Sequence, residues 1–600
     1  MCLKGIIIHM DKKTKNPTKP NKAKQLDLSI NDRSLKLLIT YFSIISALEL
    51  LAYGVGGFFS VLAAYIWLFT GIFWVGYFLS NAGLTIVNDI KKKNFVLLGV
   101  FSFLIIFLFI FIGNISFSDI NPDATQQLAA GLKSFDSADL NYTGTAFLGY
   151  PNRQYVIAAV PALIFGRSIW TAHAGFGIMF LIGLTVLFIN LRAWLKKNSI
   201  KEEYALLPCF AFLAFPFITE YYMNFEQAIT PVALTMFGIG LFLKLTMEQD
   251  ILSILAVSYV GCLMADSYTP VLASLGLLLV FLCLYAIKIK TGKSDTIKNQ
   301  TGDIKSISYA CFGCAANILV FFIATYISGR SDRLTEFREN TSLVKTALTT
   351  WKDFFTDTNV RFLGLFAGAV ILYMLLSVTL RLKIADFLVS LWVLGVVFFS
   401  DYMTGYTAYD KAWLMQRNMV VIPVLIVCIF IAIANFLKKH ELTISQPILG
   451  ILLIFFFVTG LINFMQPHRS FKYFGFIQPM KYAIDYIDET LEENGLKNTD
   501  EFNLIIYTDN VLQSNIHDYA AFFYPNATTY SESGYLYNSS IDYSKPSIYL
   551  AEDTRLKILE PDNAGTEEYI RFLKTATSSK TYKNLRYDTE VTWHMKYIAP

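Results

Sequence analysis

The run FVLLGVFSFLIIFLFIFIG, residues 95–113, carries no charged side chain. A helix of that length is about as long as a bilayer's hydrocarbon core is thick, roughly 30 Å at 1.5 Å per residue. In hydrocarbon every backbone N–H and C=O must be satisfied within the segment, or within a closed barrel. A run this long and unbroken therefore commits the chain to membrane helices. Similar runs recur between residues 36 and 465, and only 16% of the 600 residues are charged, against about 25% in soluble domains. The expected fold class is mainly α: a polytopic helical membrane protein.

Hydropathy gives about 13 spans, at 36–53, 56–80, 95–113, 171–190, 205–219, 227–246, 251–266, 268–287, 307–328, 361–380, 384–400, 417–437 and 446–465. Basic residues test the count, because short cytoplasmic loops are enriched in Lys and Arg. With the Lys-rich tail 1–35 inside, NDIKKKN (88–94), LRAWLKKNSIK (191–201), RLK (381–383) and KKH (438–440) all fall inside. This holds only if 154–168 does not cross. That segment is short and broken by Pro161, so it reads as a helix lying in the outer interface. The tail has no apolar core and reads as a disordered cytoplasmic segment rather than a signal peptide. Net charge is only +4, too small to point to nucleic acid. The localisation expected is the cytoplasmic membrane, multi-pass, with the N-terminus inside.

The composition shifts after residue 465. FNLIIYTDN (502–510) and PSIYLAED (546–553) alternate like strands ending in turn residues. MKYAIDYIDETLEENG (480–495) reads as an amphipathic helix closed by Gly495. Residues 466–600 are thus expected to form a small extracytoplasmic α/β domain, on 36–465 as the transmembrane domain with its outer loop 114–153.

Acidic residues collect at outer span ends. Asp119 and Asp123 follow the span 95–113, Glu226 lies in MNFEQ, and Asp266 lies in MADSYTP. Cations join them: Arg153 and Arg167 flank the surface helix, and Lys411 and Arg417 lie in YDKAWLMQRNM. A carboxylate just above a bilayer is partly desolvated, which raises its pKa towards that of a useful base. Arginine matches phosphate oxygens in a two-pronged fork. Plainer readings stay open: Asp123 after Pro122 fits a helix cap, and Arg153, Arg167 and Arg417 fit interfacial anchors.

PDATQQLAAGL (122–132), GYPNRQY (149–155) and ITEYYMNFEQAITPVALTMFGIGLFLKL (218–245) resemble the opening blocks of the GT-C membrane glycosyltransferases, which include protein O-mannosyltransferases and aminoarabinose transferases. The resemblance covers about residues 95–250. It departs in three ways: Ala124 stands where the family has a second acidic residue, two extra spans precede the motif, and TWKDFF (350–355) is not a Trp-Trp-Asp signature. The resemblance implies a polyprenyl-phosphate sugar donor, a cell-envelope glycan, lipid or protein acceptor, and inversion at the sugar carbon. It puts Asp123 at the general base; Asp119 would orient the acceptor or stand in for the acid missing at 124. Tyr150, Arg153, Glu226, Arg167, Asp266, Lys411 and Arg417 become candidate substrate contacts. No metal-ligand spacing occurs; a loosely held divalent cation, magnesium or manganese, at the acidic loop stays open, with no cofactor otherwise expected. Two rivals are a flippase for a lipid-linked sugar and a non-catalytic envelope protein of the same fold.

Overall fold

A computed structural model describes residues 32–113, 122–136, 153–223, 229–248, 250–265, 421–466, 480–507, 519–530, 541–552, 575–576, 578–584 and 589–600, with isolated positions between 279 and 323. Five of its helices are long and apolar enough to cross a membrane, and the chain is a membrane protein with a mixed C-terminal sheet. Eight expected spans coincide with described helices. Those at 268–287, 307–328, 361–380 and 384–400 lie wholly or largely outside the described residues.

Helices α1 (Asp32–Gly54) and α2 (Phe58–Lys91) form a hairpin. Its turn needs Gly56 and Gly57, both at positive φ, and the Ser60 hydroxyl closes it by donating to the Ala52 carbonyl at 3.0 Å. At 34 residues, α2 is about 51 Å long, so it overhangs any bilayer. Helix α3 (Phe95–Ile110) follows after a tight turn. Then come α4 (Pro122–Asp136), the short pair α5 (Arg153–Ala158) and α6 (Val160–Phe165), and α7 (Ile169–Lys197).

Helix α7 is the hub. In the most apolar stretch of α7, 83% of the residues are buried inside the protein, against 17% for α13 (Gln446–Met465), which lies on the outside of the bundle. Glycines let α10 (Ile229–Met247) lie directly on α7. A Cβ at Gly183 would stand 2.8 Å from the Ala233 carbonyl oxygen, and one at Gly240 would stand 2.9 Å from that of Val186. Small residues on both faces permit this backbone approach in membranes, where close packing rather than water exclusion joins helices. The pairing of 183 with 233 and 186 with 240 makes the two helices parallel.

The expected span 205–219 is not one helix. A 3₁₀ turn (Glu202–Ala205), α8 (Leu206–Ala211), a second 3₁₀ turn (Phe212–Ala214) and α9 (Pro216–Met223) replace it. Phe215 is extended, as the residue before a proline prefers. The freed Leu213 carbonyl accepts a hydrogen bond from the Asn463 side-chain amide of α13 at 3.0 Å, which is how an unwound stretch survives within a bundle. Helices α11 (Ile251–Ala265) and α12 (Val421–Lys439) complete the described spans.

The basic helix ends gather at one end of the bundle. Arg192 of α7 forms a two-pronged pair with the buried Asp89 of α2 and donates to Glu202 at 2.6 Å. Lys196 holds the other Glu202 oxygen at 2.9 Å, and Lys438 of α12 donates to the Asn198 carbonyl. Burial pushes the Glu202 carboxyl up, but hydrogen bonds from Lys196 and Arg192 outweigh it and hold the group below its ordinary value.

The C-terminal domain is built as expected around α14 (Met480–Glu493), with Gly495 at positive φ closing the helix. The predicted strands are β1 (Asn503–Tyr507) and β3 (Ser547–Glu552). They pair in parallel, and β2 (Thr528–Tyr530), β4 (Ser578–Asn584) and β5 (Thr589–Ile598) extend the sheet in the order β2-β1-β3-β5-β4. Leu504, Ile505 and Ile506 are all buried, as in a strand covered on both faces. The apolar core runs continuously from the bundle into this domain.

Candidate active site

The end of the bundle opposite the basic cluster is built on the sequence SIWTAHAGFG, where α7 begins. Ser168 caps the helix reciprocally with Thr171, the arrangement that satisfies two orphan N–H groups at once. Glycines then bring neighbouring backbones onto α7. A Cβ at Gly175 would stand 2.1 Å from the Ala158 carbonyl oxygen, so α5 lies across α7 at that point. Gly113, at φ +72°, lets the end of α3 meet Trp170, whose ring carbon would be 2.8 Å from a Cβ there.

His173 locks this junction. It is fully buried, its Nδ1 accepts from the Gly113 N–H at 2.7 Å, and its Nε2 faces the Tyr222 carbonyl at 2.7 Å. An Nδ1 that accepts leaves the proton on Nε2, so the ring is neutral and bridges α3 to the end of α9. The Tyr222 hydroxyl returns to α3 by donating to the Leu108 carbonyl at 2.7 Å. The sequence shows His173 as an isolated histidine; its role emerges only from the two backbone ends that it joins.

Helix α4 packs against α5, α2 and α7. Phe135 at its far end meets Tyr65 of α2 edge-on at 5.1 Å, and Val156 of α5 joins the small apolar cluster there. The helix is polar by composition, yet every residue from Ala124 to Leu132 is buried, including Thr125, Gln126 and Gln127. Gln127 is the outlier. It is 1% exposed, and among the described residues neither its amide oxygen nor its amide nitrogen has a hydrogen-bond partner. Burying an amide without partners costs roughly 1–3 kcal/mol on protein scales, and a ligand that uses it is one way such a cost is offset. Position 123 lies one helical turn before Gln127, in the first turn of α4, and residues four apart share a helix face.

Arg167 sits at the turn between α6 and α7. Its guanidinium donates to the Phe522 carbonyl at 2.9 Å and to that of Ala521 at 3.3 Å, and the Asn498 side chain donates to the Arg167 carbonyl at 3.3 Å. A cation at the carbonyl end of a helical turn is favoured by the local dipole. This residue therefore ties the C-terminal domain to the first turn of α7. Arg153 opens α5, beside α4. Asp119, Tyr150, Glu226, Asp266, Lys411 and Arg417 lie outside the described residues. The same Tyr-rich block does contain a carboxylate within the described fold: Glu220 of α9, 1% exposed. The sequence points to Glu226 by its place at an outer span end and in the matched block; burial is what singles out Glu220.

The pair α5–α6 covers residues 154–165 of the segment expected to lie in the interface. Ala158, Ala159 and Ala162 are buried, while Leu163, Ile164 and Phe165 are exposed at 44%, 66% and 69%. An apolar edge beside a polar junction is what a helix needs to lie in the headgroup boundary. Pro161 falls at the start of α6, where its missing N–H costs nothing. Among the described residues no group of three or more His, Cys, Asp or Glu side chains is placed to hold a metal ion.

No protein-family model matches the chain, and no curated protein matches it. Among solved structures it is similar to the crystal structure of ArnT from Cupriavidus metallidurans bound to undecaprenyl phosphate, with 10% identity and a TM-score of 0.45 over 83% of this chain and 98% of that one. The apo state of the same protein gives 11% identity and a TM-score of 0.45 over 84% and 98%.

Proposed function

We propose that this chain is a membrane glycosyltransferase that moves a sugar from a polyprenyl-phosphate donor to a cell-envelope acceptor at the end of the bundle bearing the C-terminal domain. The basic helix ends lie at the other end, and the positive-inside bias assigns them to the cytoplasm. The observation that carries the reading is α4: a polar helix buried from Ala124 to Leu132, with Asp123 in its first turn and, among the described residues, the unpartnered Gln127 amide one turn on. The motif resemblance at 122–132 and 149–155 supports it independently.

In this reading the acceptor hydroxyl attacks the anomeric carbon and loses its proton to the Asp123 carboxylate, while the bond from that carbon to the lipid phosphate breaks. The N-terminal turn of a helix stabilises a carboxylate as the anion, the form a general base requires. Gln127 offers a donor and an acceptor to sugar hydroxyls within the buried site. Arg153, at the start of the neighbouring helix, is the cation assigned to the departing phosphate, with Tyr150, Lys411 and Arg417 as further candidates around the same lipid. Asp119, Glu226 and Asp266 are assigned to acceptor binding. Arg167 positions the C-terminal domain over the site.

The test is transfer in proteoliposomes, using a panel of labelled polyprenyl-phosphate sugars and envelope acceptors. Asp123→Asn is expected to slow transfer by about 10²–10⁴-fold, the range for loss of a general base, with an unchanged melting midpoint. Undiminished transfer in this variant, or movement of donor across the bilayer without transfer, would refute the reading; the second outcome identifies a flippase.

A further inference from the structure

A second polar feature lies at the basic end, far from α4. The C-terminal parts of α2, α7 and α10 enclose a groove of about 200 Å³. Its polar lining is Tyr77, Asn81, Thr85 and Asn88 of α2, Asn190 of α7 and Lys244 of α10, together with the Glu248 carboxylate. These residues fall within or next to helices that are otherwise apolar. Leu84, which also lines the groove, is 63% exposed, and its neighbours Ile86 and Val87 are exposed as well. Such a face suits acyl chains rather than water.

Lys244 is the telling group. Its ammonium donates to the Tyr77 hydroxyl at 2.6 Å and stands 5.0 Å from the centre of the same ring. Both contacts are neutral, and among the described residues no carboxylate pairs with it, Glu248 one turn away included. A lysine at membrane level that lacks an anion is costly and marks a ligand or an interface. Its depth fits the interface: Lys244 is in the last turn of α10, close to the level where Lys197 of α7 donates to the Met247 carbonyl at 3.0 Å. Three unspent donors meet in the groove. They are the remaining ammonium N–H groups, the Tyr77 O–H whose oxygen already accepts from Lys244, and the Asn81 amide, which has no partner among the described residues. Donors converging beside an ammonium that no carboxylate neutralises among the described residues suit an anion.

We infer that the groove between α2, α7 and α10 binds the phosphate of an anionic lipid headgroup at the basic end, with Lys244 as its cationic contact and α2 as its acyl-facing wall. The inference does not depend on the glycosyltransferase reading: it uses only the membrane setting and these side chains. A bound lipid there would splint the α1–α2 hairpin to the α7–α10 pair.

The test is native mass spectrometry of the full-length, delipidated protein titrated separately with phosphatidylglycerol, phosphatidylcholine and inorganic phosphate. The expected result is retention of phosphatidylglycerol in preference to phosphatidylcholine. Binding should fall at least about tenfold in Lys244→Met, as loss of one charge-assisted hydrogen bond implies, and should persist in Lys244→Arg. Equal retention of both lipids, or undiminished binding by Lys244→Met, overturns the inference. Inorganic phosphate binding as well as the lipid overturns the lipid assignment. If Lys244→Met fails to fold, Asn81→Leu decides: leucine suits a lipid-facing helix, and wild-type affinity in that variant overturns the inference.

Discussion

The two ends of α7 solve the same problem in different ways. At the Lys197 end, charge meets charge: Arg192 holds Asp89 and Glu202, and Lys196 shares the latter. At the Ile169 end the ties are neutral or run to backbone. His173 bridges Gly113 and Tyr222, Tyr222 reaches Leu108, and Arg167 binds the carbonyls of Ala521 and Phe522. At the first end the charges of Arg192 and Lys196 go into the fold itself. The second satisfies its own backbone with neutral groups and leaves the Gln127 amide unpaired nearby. Near the Ile169 end the amide left over sits on α4 beside Asp123, where a donor and an acceptor can serve a ligand.

Breaking the charged end should have the largest effect on stability. Arg192→Met strands the Asp89 carboxylate, which is 3% exposed, and removal of one partner of a buried pair costs about 3–5 kcal/mol. Its unfolding midpoint in detergent should fall well below that of the wild type, and Asp89→Leu combined with Arg192→Met should recover much of the loss. At the other end, His173→Phe leaves the Gly113 N–H and the Tyr222 carbonyl unmatched, and the expected loss is about 2 kcal/mol by the same measurement. Smallest is the pH effect. The folded Glu202 carboxyl lies below its ordinary value of 4.5, so its contribution is intact above that pH and lost as pH falls through the lower folded value. An Arg192–Glu202 tie that matters should make the wild type more acid-sensitive below about pH 4.5 than Glu202→Gln.

Much of this architecture is legible in the sequence, for reasons that particular residues make plain. An apolar run in lipid has one local solution, so the helices over 95–110, 169–197 and 446–465 follow from composition alone. Gly495 and Pro161 mark a helix end and a helix start because their backbone constraints are intrinsic. The break at 202–223 was not legible, since the Asn463 amide that makes it tolerable comes from some 250 residues away. The site was half legible. Pro122-Asp123 announces a helix start by an acid, but the value of Gln127 depends on what surrounds it, and Gln is unremarkable in any one-dimensional pattern. Arg167 read as a phosphate fork because the sequence does not show that carbonyls 521 and 522 come to it. Nothing in the sequence singles out Lys244, and only the approach of Tyr77 shows a groove there.

The contrast between the two ends comes down to Gln127, and one paired measurement on Gln127→Leu tests it: the melting midpoint together with sugar transfer from a polyprenyl-phosphate donor in proteoliposomes. A ligand-serving amide predicts a midpoint at or above that of the wild type, because an unpaired buried polar group is removed, with transfer slower by about 10–100-fold for the lost hydrogen bonds. A lower midpoint with transfer at the wild-type rate would make Gln127 a structural residue and contradict the account.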